Sequence, residues 1–247
     1  MRLVAQVTPR CQIGCAHCAF EAGPASAGLL APATLAAWLD RLRAAGCAPT
    51  HLGLTGGDAM LAPRRVQALA RLARARGLVV RLVTSARFAR DGATTARATA
   101  ALVRAGITGL WVGHDAFHLR AVPEARVVRL LRAGRAAGLA VHLAFTYVHP
   151  RAVGLRGKGL PGLDARLEAD RSTHARQREL SGLCAELGAS HGWSRLVDAG
   201  RARALLAALP PALAGEIRAD LAAARGQGGE GAMLGLRWDG RPLDEPV

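Results

Sequence analysis

The sequence predicts an α/β fold in which parallel strands alternate with helices and curve into a barrel that does not close. Three observations carry this. Amphipathic helices recur that end at glycine, at Gly46, Gly77, Gly106 and Gly138, so the repeat runs at intervals of 31, 29 and 32 residues. An apolar strand follows each glycine at once, mostly as a continuous apolar run, as expected when both faces are covered. Strand alternating with helix at this period means parallel βα units.

Taken in order, the first strand spans Arg2 to Val7, and Leu35, Leu39 and Leu42 line the helix face ahead of Gly46. The second strand is His51 to Thr55, followed by a helix with Val66, Leu69 and Leu72 or Ala73 on one face ahead of Gly77. Strands follow at Leu78 to Thr84, Thr108 to Gly113 and Leu139 to Tyr147, with Val127, Leu130 and Leu131 facing inward from the helix before the last of these. Each glycine fits a helix C-terminal cap. A sixth unit joins a long polar helix around Leu163 to Leu187 to a weak strand in Trp193 to Val197. Ala199 to Ala224 reads as two short helices broken at Pro210 and Pro211, Gly226 to Gly231 as a loop, and Met233 to Trp238 as a final strand. Six units are fewer than the eight that close a TIM barrel. The expected architecture is therefore a partial (β/α)6 TIM-like barrel over residues 1–198, with a helical and single-strand extension over 199–247 packed on it.

The 247 residues, 51% of them apolar, suffice for a sizeable core. No apolar run approaches the roughly 20 residues of a membrane helix, and MRLVAQVTPR lacks a signal-peptide pattern, so a cytoplasmic protein without membrane contact is expected. The net charge is +15, from 33 basic and 18 acidic residues, and Lys158 is the only lysine. That excess leaves an acidic partner, nucleic acid or an acidic peptide, open. The nine aromatics are scattered rather than interleaved with basic residues, which disfavours a stacking platform for nucleic acid.

In parallel βα architectures the chemistry lies at the carboxyl ends of the strands. After the first strand comes CQIGCAHC, with Cys11, Cys15 and Cys18 in the spacing CxxxCxxC. Three thiolates from one loop suit a 4Fe-4S cube whose fourth iron has no protein ligand. A zinc site completed by His17 or Cys47, or plain buried cysteines, are the alternatives. After the second strand comes LTGGD, where Gly56 and Gly57 admit close approach of a ligand to the main chain and Asp58 offers a carboxylate to an ammonium group; an ordinary βα turn is the alternative.

These signals, in this order, resemble the radical SAM superfamily, whose members cleave S-adenosylmethionine on a three-cysteine 4Fe-4S cluster. The resemblance covers about residues 1 to 150. It implies that Cys11, Cys15 and Cys18 ligate the cluster and that the free iron is chelated by the amino and carboxylate groups of S-adenosylmethionine. It further places His17 where an aromatic residue packs near the adenine, and Gly56, Gly57 and Asp58 where the family has GGE, contacting the methionine amino group. Ser85, after the third strand, falls near the cofactor's carboxylate or ribose, or else caps the next helix. GHDAFH, residues 113 to 118, looks like SxDxxH with Gly113 in place of serine, which makes Asp115 a ribose or substrate contact and His118 a residue of the active-site rim.

Tyr147, the only tyrosine, is a candidate substrate contact, and His142 reads as a hydrogen-bonded core residue. The loop of residues 148–159 carries Arg151, Arg156 and Lys158 for an anionic substrate group, or is simply a solvated basic loop. Cys47 and Cys184 are isolated, so no second cluster is expected. The resemblance implies an external one-electron reductant and a substrate that is a precursor peptide or protein, with recognition by the barrel, the tail or a separate protein. A nucleoside, tRNA or small-metabolite substrate is the alternative, and a non-catalytic metal-binding protein is a third.

Overall fold

The computed structural model describes residues 1–119, 121–147, 178–195, 200–207, 211–212, 214–215, 219, 233–237 and 239–241. Over these the chain is α/β with an all-parallel sheet. It runs β1 (Arg2–Gln6), α1 (Pro32–Ala44), β2 (His51–Thr55), α2 (Pro63–Ala75), β3 (Val79–Thr84), α3 (Gly92–Arg104) and β4 (Ile107–Gly113). A four-residue helix α4 (Ala116–Leu119), α5 (Glu124–Ala136) and β5 (Ala140–Tyr147) follow. Then come α6 over residues 178–186, β6 (Ser190–Arg195), α7 (Ala202–Ala207) and β7 (Met233–Leu236).

The strands lie in the order β6-β5-β4-β3-β2-β1-β7. Every pairing is parallel, with Ala5 opposite Leu54, Leu82 opposite Leu110 and Val112 opposite Leu143. This is the expected partial TIM-like barrel. The strand foreseen in the C-terminal extension, β7, pairs with β1 and so belongs to the same sheet. The sixth strand begins at Ser190, three residues ahead of the expected Trp193, because its polar SHG opening hides a strand that the pairing of His142 with Ser190 creates. The first part of the long polar helix expected from Leu163, and the loop Gly226 to Gly231, lie outside the described residues.

The predicted glycine caps rest on a shared geometry. Gly46, Gly77, Gly106 and Gly138 have φ between +73° and +90°, a region that penalises any side chain. Beyond three of them the chain closes the helix end with a six-to-one bond: Cys47 N donates to the Leu42 carbonyl, Leu78 N to Ala73 and Leu139 N to Gly134, at 2.8, 3.1 and 2.9 Å. Gly188, at φ +58°, ends α6 in the same way through Ala189 N to Cys184 O at 2.7 Å.

One core joins the sheet to the helices. Leu3, Leu52, Leu54, Leu82, Leu110 and Phe145 pack with Leu35, Leu69, Leu102, Leu130 and Leu131 in a single buried cluster. Each such side chain removed from water contributes about 1.5–3 kcal/mol. The opposite face differs from expectation. Alternate residues Val4, Gly53, Arg81 and His142 are only half-buried there, and Trp111 is exposed. Among the described residues, the strands are thus covered fully on one face only.

Candidate metal and cofactor site at the strand ends

Beyond β1 the chain turns into the cysteine loop, which is fastened to the end of β2. Gly57 N donates to the Thr8 carbonyl at 2.7 Å and Asp58 N to the Arg10 carbonyl at 2.9 Å. Here the two glycines serve close contact with the chain itself. A Cβ on Gly57 would fall 2.1 Å from the Arg10 carbonyl oxygen and 2.8 Å from Cys11 Cβ, and one on Gly56 would fall 2.6 Å from the Thr8 oxygen. Cys11 N donates to Gly23 O at 3.0 Å, and Cys18 N to Cys15 O at 3.2 Å. The loop also needs left-handed backbone at Gly14 and Glu21, with φ of +62° and +52°. Cys11 is buried, whereas Cys15 and Cys18 are half-buried. Burial raises the Cys11 thiol, against the lowering effect of the Ile13 and Gly14 amides, so the loop by itself favours a protonated thiol whose proton a metal would displace.

Arg201 closes this loop from the far end of the chain. Its Nε donates to Cys15 O at 2.9 Å, its Nη2 to Ala22 O at 2.6 Å and its backbone N to Cys18 O at 3.1 Å. The sequence reading missed Arg201, and its only local signal is the preceding Gly200, where a Cβ would lie 2.4 Å from Ala19 O.

Asp58 and Ser85 meet at the ends of β2 and β3. Asp58 Oδ2 accepts from Ser85 Oγ at 3.1 Å, while Oδ1 accepts from Thr84 Oγ1 at 3.3 Å and Met60 N at 3.1 Å. Burial raises the Asp58 carboxyl, and these donors oppose it. With three of about four acceptor positions on the carboxylate occupied, one remains for a ligand. Ala86 follows at φ +64° and is fully buried, a costly conformation for an alanine.

The end of β4 is different. Asp115, 1% exposed, accepts through Oδ1 from the backbone of Phe117 and His118, at 3.0 and 3.2 Å, and bonds His118 Nδ1 at 2.8 Å. Oδ2 accepts from Thr146 N at 3.3 Å and stands 3.9 Å from His17 Nε2. Burial opposes charge on both partners, yet their mutual attraction wins: the Asp115 carboxyl lies well below the usual carboxylate range and His118 well above its ordinary value. His17 packs against Phe117 with ring centroids 4.4 Å apart and meets His118 edge-on at 5.4 Å. Burial lowers His17 and His114 to about 4, so both are neutral near pH 7. His17 Nδ1 and both ring nitrogens of His114 are buried without a hydrogen-bond partner, and such atoms call for a ligand or water.

The cysteine loop bridges the two clusters. The Asp58 charge acts on Cys11, and the Cys15 sulfur acts electrostatically on His118 and donates to the Phe117 carbonyl at 3.8 Å. One ligand atom from each of His17, Asp115 and His118 lies within 4.8 Å of the others. Three thiols on one loop, with unpartnered imidazole nitrogens beside them, fit a cluster-bound cofactor as a donor set. His114 and Phe117, not singled out from the sequence, join the site because the short helix α4, which starts after Asp115, turns GHDAFH back on itself.

Other expectations fall outside this site. The Tyr147 side chain and residues 148–159 lie outside the described residues. His142 is hydrogen-bonded, its Nδ1 to Ser190 Oγ at 2.9 Å, but on the half-buried sheet face rather than in the core. Cys47 follows the α1 cap, and Cys184 is buried among the helices. Among the described residues no helix is long and apolar enough to cross a membrane.

No family model and no curated protein matches the chain. Among solved structures, BtrN in complex with AdoMet and 2-DOIA is 15% identical over 46% of this chain and 45% of that one, at a TM-score of 0.37. An uncharacterized protein is 16% identical over 81% of this chain and 48% of that one, at 0.38. YagE, a prophage protein of the dihydrodipicolinic acid synthase family from E. coli K12 in complex with pyruvate, is 15% identical over 78% and 68%, at 0.36. The chain thus spans about half the length of the first two. Likenesses this slight carry no argument about activity.

Proposed function

We propose that the chain is a radical SAM enzyme that acts on a peptide or protein, in the modification of a ribosomally made precursor. The observation that supports this reading is the set of three thiols in one loop at the carboxyl end of β1, beside buried imidazoles that lack partners. Cys11, Cys15 and Cys18 would hold a 4Fe-4S cluster. Such a cluster, when reduced, supplies the electron that splits S-adenosylmethionine into methionine and a 5′-deoxyadenosyl radical, which abstracts hydrogen from the substrate.

The protein's own part is binding, orientation and exclusion of water. The remaining acceptor position of Asp58 suits the cofactor's ammonium group, with Ser85 holding the carboxylate in place. His17 offers a ring face for the adenine, backed by Phe117. Asp115 fixes His118 through its Nδ1, which aims the other ring nitrogen toward the cysteine loop. The thiols must lose their protons before they bind iron, and burial makes Cys11 reluctant to do so.

The test is anaerobic reconstitution with iron and sulfide, reduction by an external one-electron donor, addition of S-adenosylmethionine and measurement of 5′-deoxyadenosine. Production that disappears when Cys11, Cys15 and Cys18 are all changed to alanine is the expected outcome. A fully loaded cluster that binds no S-adenosylmethionine would overturn the reading. A second reading rests on the same loop: Cys11, Cys15 and Cys18 would hold a structural zinc ion together with His17, whose Nδ1 is buried without a partner. Tight stoichiometric zinc, with no cluster assembled, would decide for it.

A further inference from the structure

The half-buried face of the sheet holds a cluster that plays no part in the chemistry above. Trp111 on β4 is 38% exposed. The Arg81 guanidinium of β3 sits 5.9 Å from its ring centroid, and the His142 ring of β5 lies 4.8 Å away on its other flank. Glycines make the room. A Cβ on Gly109 would come within 3.4 Å of the Arg81 stem, and one on Gly192 within 3.2 Å of the His142 ring. His142 is in turn braced by Ser190.

This arrangement departs from an ordinary barrel interior, which is filled by branched apolar side chains. No described strand contains an aspartate or a glutamate, and no carboxylate among the described residues pairs with Arg81. His51 and His142 are both held below their ordinary values, by burial first and then by neighbouring cations that include Arg81. Near pH 7 the face therefore carries neutral imidazoles, Arg2 at its edge beside His51 and, at its middle, the Arg81 guanidinium resting on an indole. A guanidinium of this kind selects a carboxylate, to which it binds through two parallel hydrogen bonds.

We propose that Arg81 and Trp111 form the seat for a carboxylate side chain of an acidic peptide on this face of the sheet. A peptide is favoured over RNA because a single aromatic beside a single arginine does not make the succession of stacking platforms and phosphate contacts that a nucleic-acid strand uses. Trp111 lies two residues before the end of β4 at Gly113, about 7 Å along the strand at about 3.3 Å per residue. Resting on the radical SAM reading, this places the acidic anchor a few residues from the position under attack in an extended substrate.

The seat is tested without metal or S-adenosylmethionine, so its failure and that of the proposed function are separable. Fluorescein-labelled hexaglutamate and hexaglutamine are titrated into the full chain and followed by anisotropy. Hexaglutamate should bind at least about tenfold more tightly, and Arg81→Gln should weaken it about tenfold. Trp111→Leu, which removes the platform, should weaken it about threefold. Arg97→Gln, at an exposed arginine of α3, should leave it unchanged. Equal loss in the Arg97 and Arg81 variants would mean diffuse attraction by the +15 charge and would overturn the seat. Tighter binding of hexauridylate, lost in Arg81→Gln, would assign it to RNA instead and overturn the peptide. Thermal unfolding of each variant separates lost binding from lost fold.

Discussion

The two polar clusters that flank the cysteine loop are built on opposite principles. On the β2 and β3 side the glycines and Asp58 are engaged by the chain itself: Thr8 and Arg10 occupy the space beside Gly56 and Gly57, and Thr84, Ser85 and Met60 donate to the carboxylate. On the β4 side Asp115 is equally engaged, yet His17 and His114 bury ring nitrogens that meet nothing. The first region is a clamp that shapes the cysteine loop. The second is an incomplete polar environment, and a ligand is what would complete it. Glycines beside a candidate cofactor therefore need not touch it.

The largest effect should follow Asp115→Ala. The half-buried charge of His118 would lose its buried partner, and the loss should be about 3–5 kcal/mol, read as a lower urea midpoint. A cost under about 1 kcal/mol would mean that the β4 cluster is as loosely held as a surface loop. Next comes Gly57→Ala. Its Cβ meets backbone, so the loop rather than a flexible side chain must move, at about 1–3 kcal/mol. Iron bound per chain after reconstitution should fall with it. Full iron loading in a stable variant would break the idea of a clamp.

The open region should also reveal itself through pH. His114 is 2% exposed and its value is lowered from 6.5 to about 4. On acidification the unfolded chain takes up this proton first, so stability is intact above about pH 6.5 and is lost as pH falls toward 4. This amounts to about 2 kcal/mol by pH 5. His114→Phe should flatten that part of the stability profile; an unchanged slope would show the imidazole to be hydrated. The smallest effect is expected at Ser85→Ala, which removes one of the three donors to Asp58 and should cost about 1 kcal/mol in thermal unfolding. An effect larger than that of Gly57→Ala would shift the clamp from backbone to carboxylate.

Much of this was legible along the chain. Leu69 or Leu130 at helical spacing, a glycine cap and the apolar run after it are local signals, and each identified its element. CxxxCxxC is local as well, since three thiols within eight residues must share a loop. What remained hidden depends on distance in sequence. Arg201 is 186 residues from the Cys15 carbonyl that it binds. Arg81, Trp111 and His142 come from three strands and share a surface only because β3, β4 and β5 are neighbours in register. His114 looked like one more polar residue of a strand-end loop until α4 buried it.

The sequence by itself determined the alternation of strand and helix, the glycine caps and the three-thiol loop, because backbone conformation, amphipathic period and ligand spacing are properties of near neighbours. Tertiary structure alone decided which side of the sheet is covered, which imidazoles lose contact with water and which carboxylates are already engaged. Burial and field depend on what other strands bring alongside, and a linear pattern does not record them.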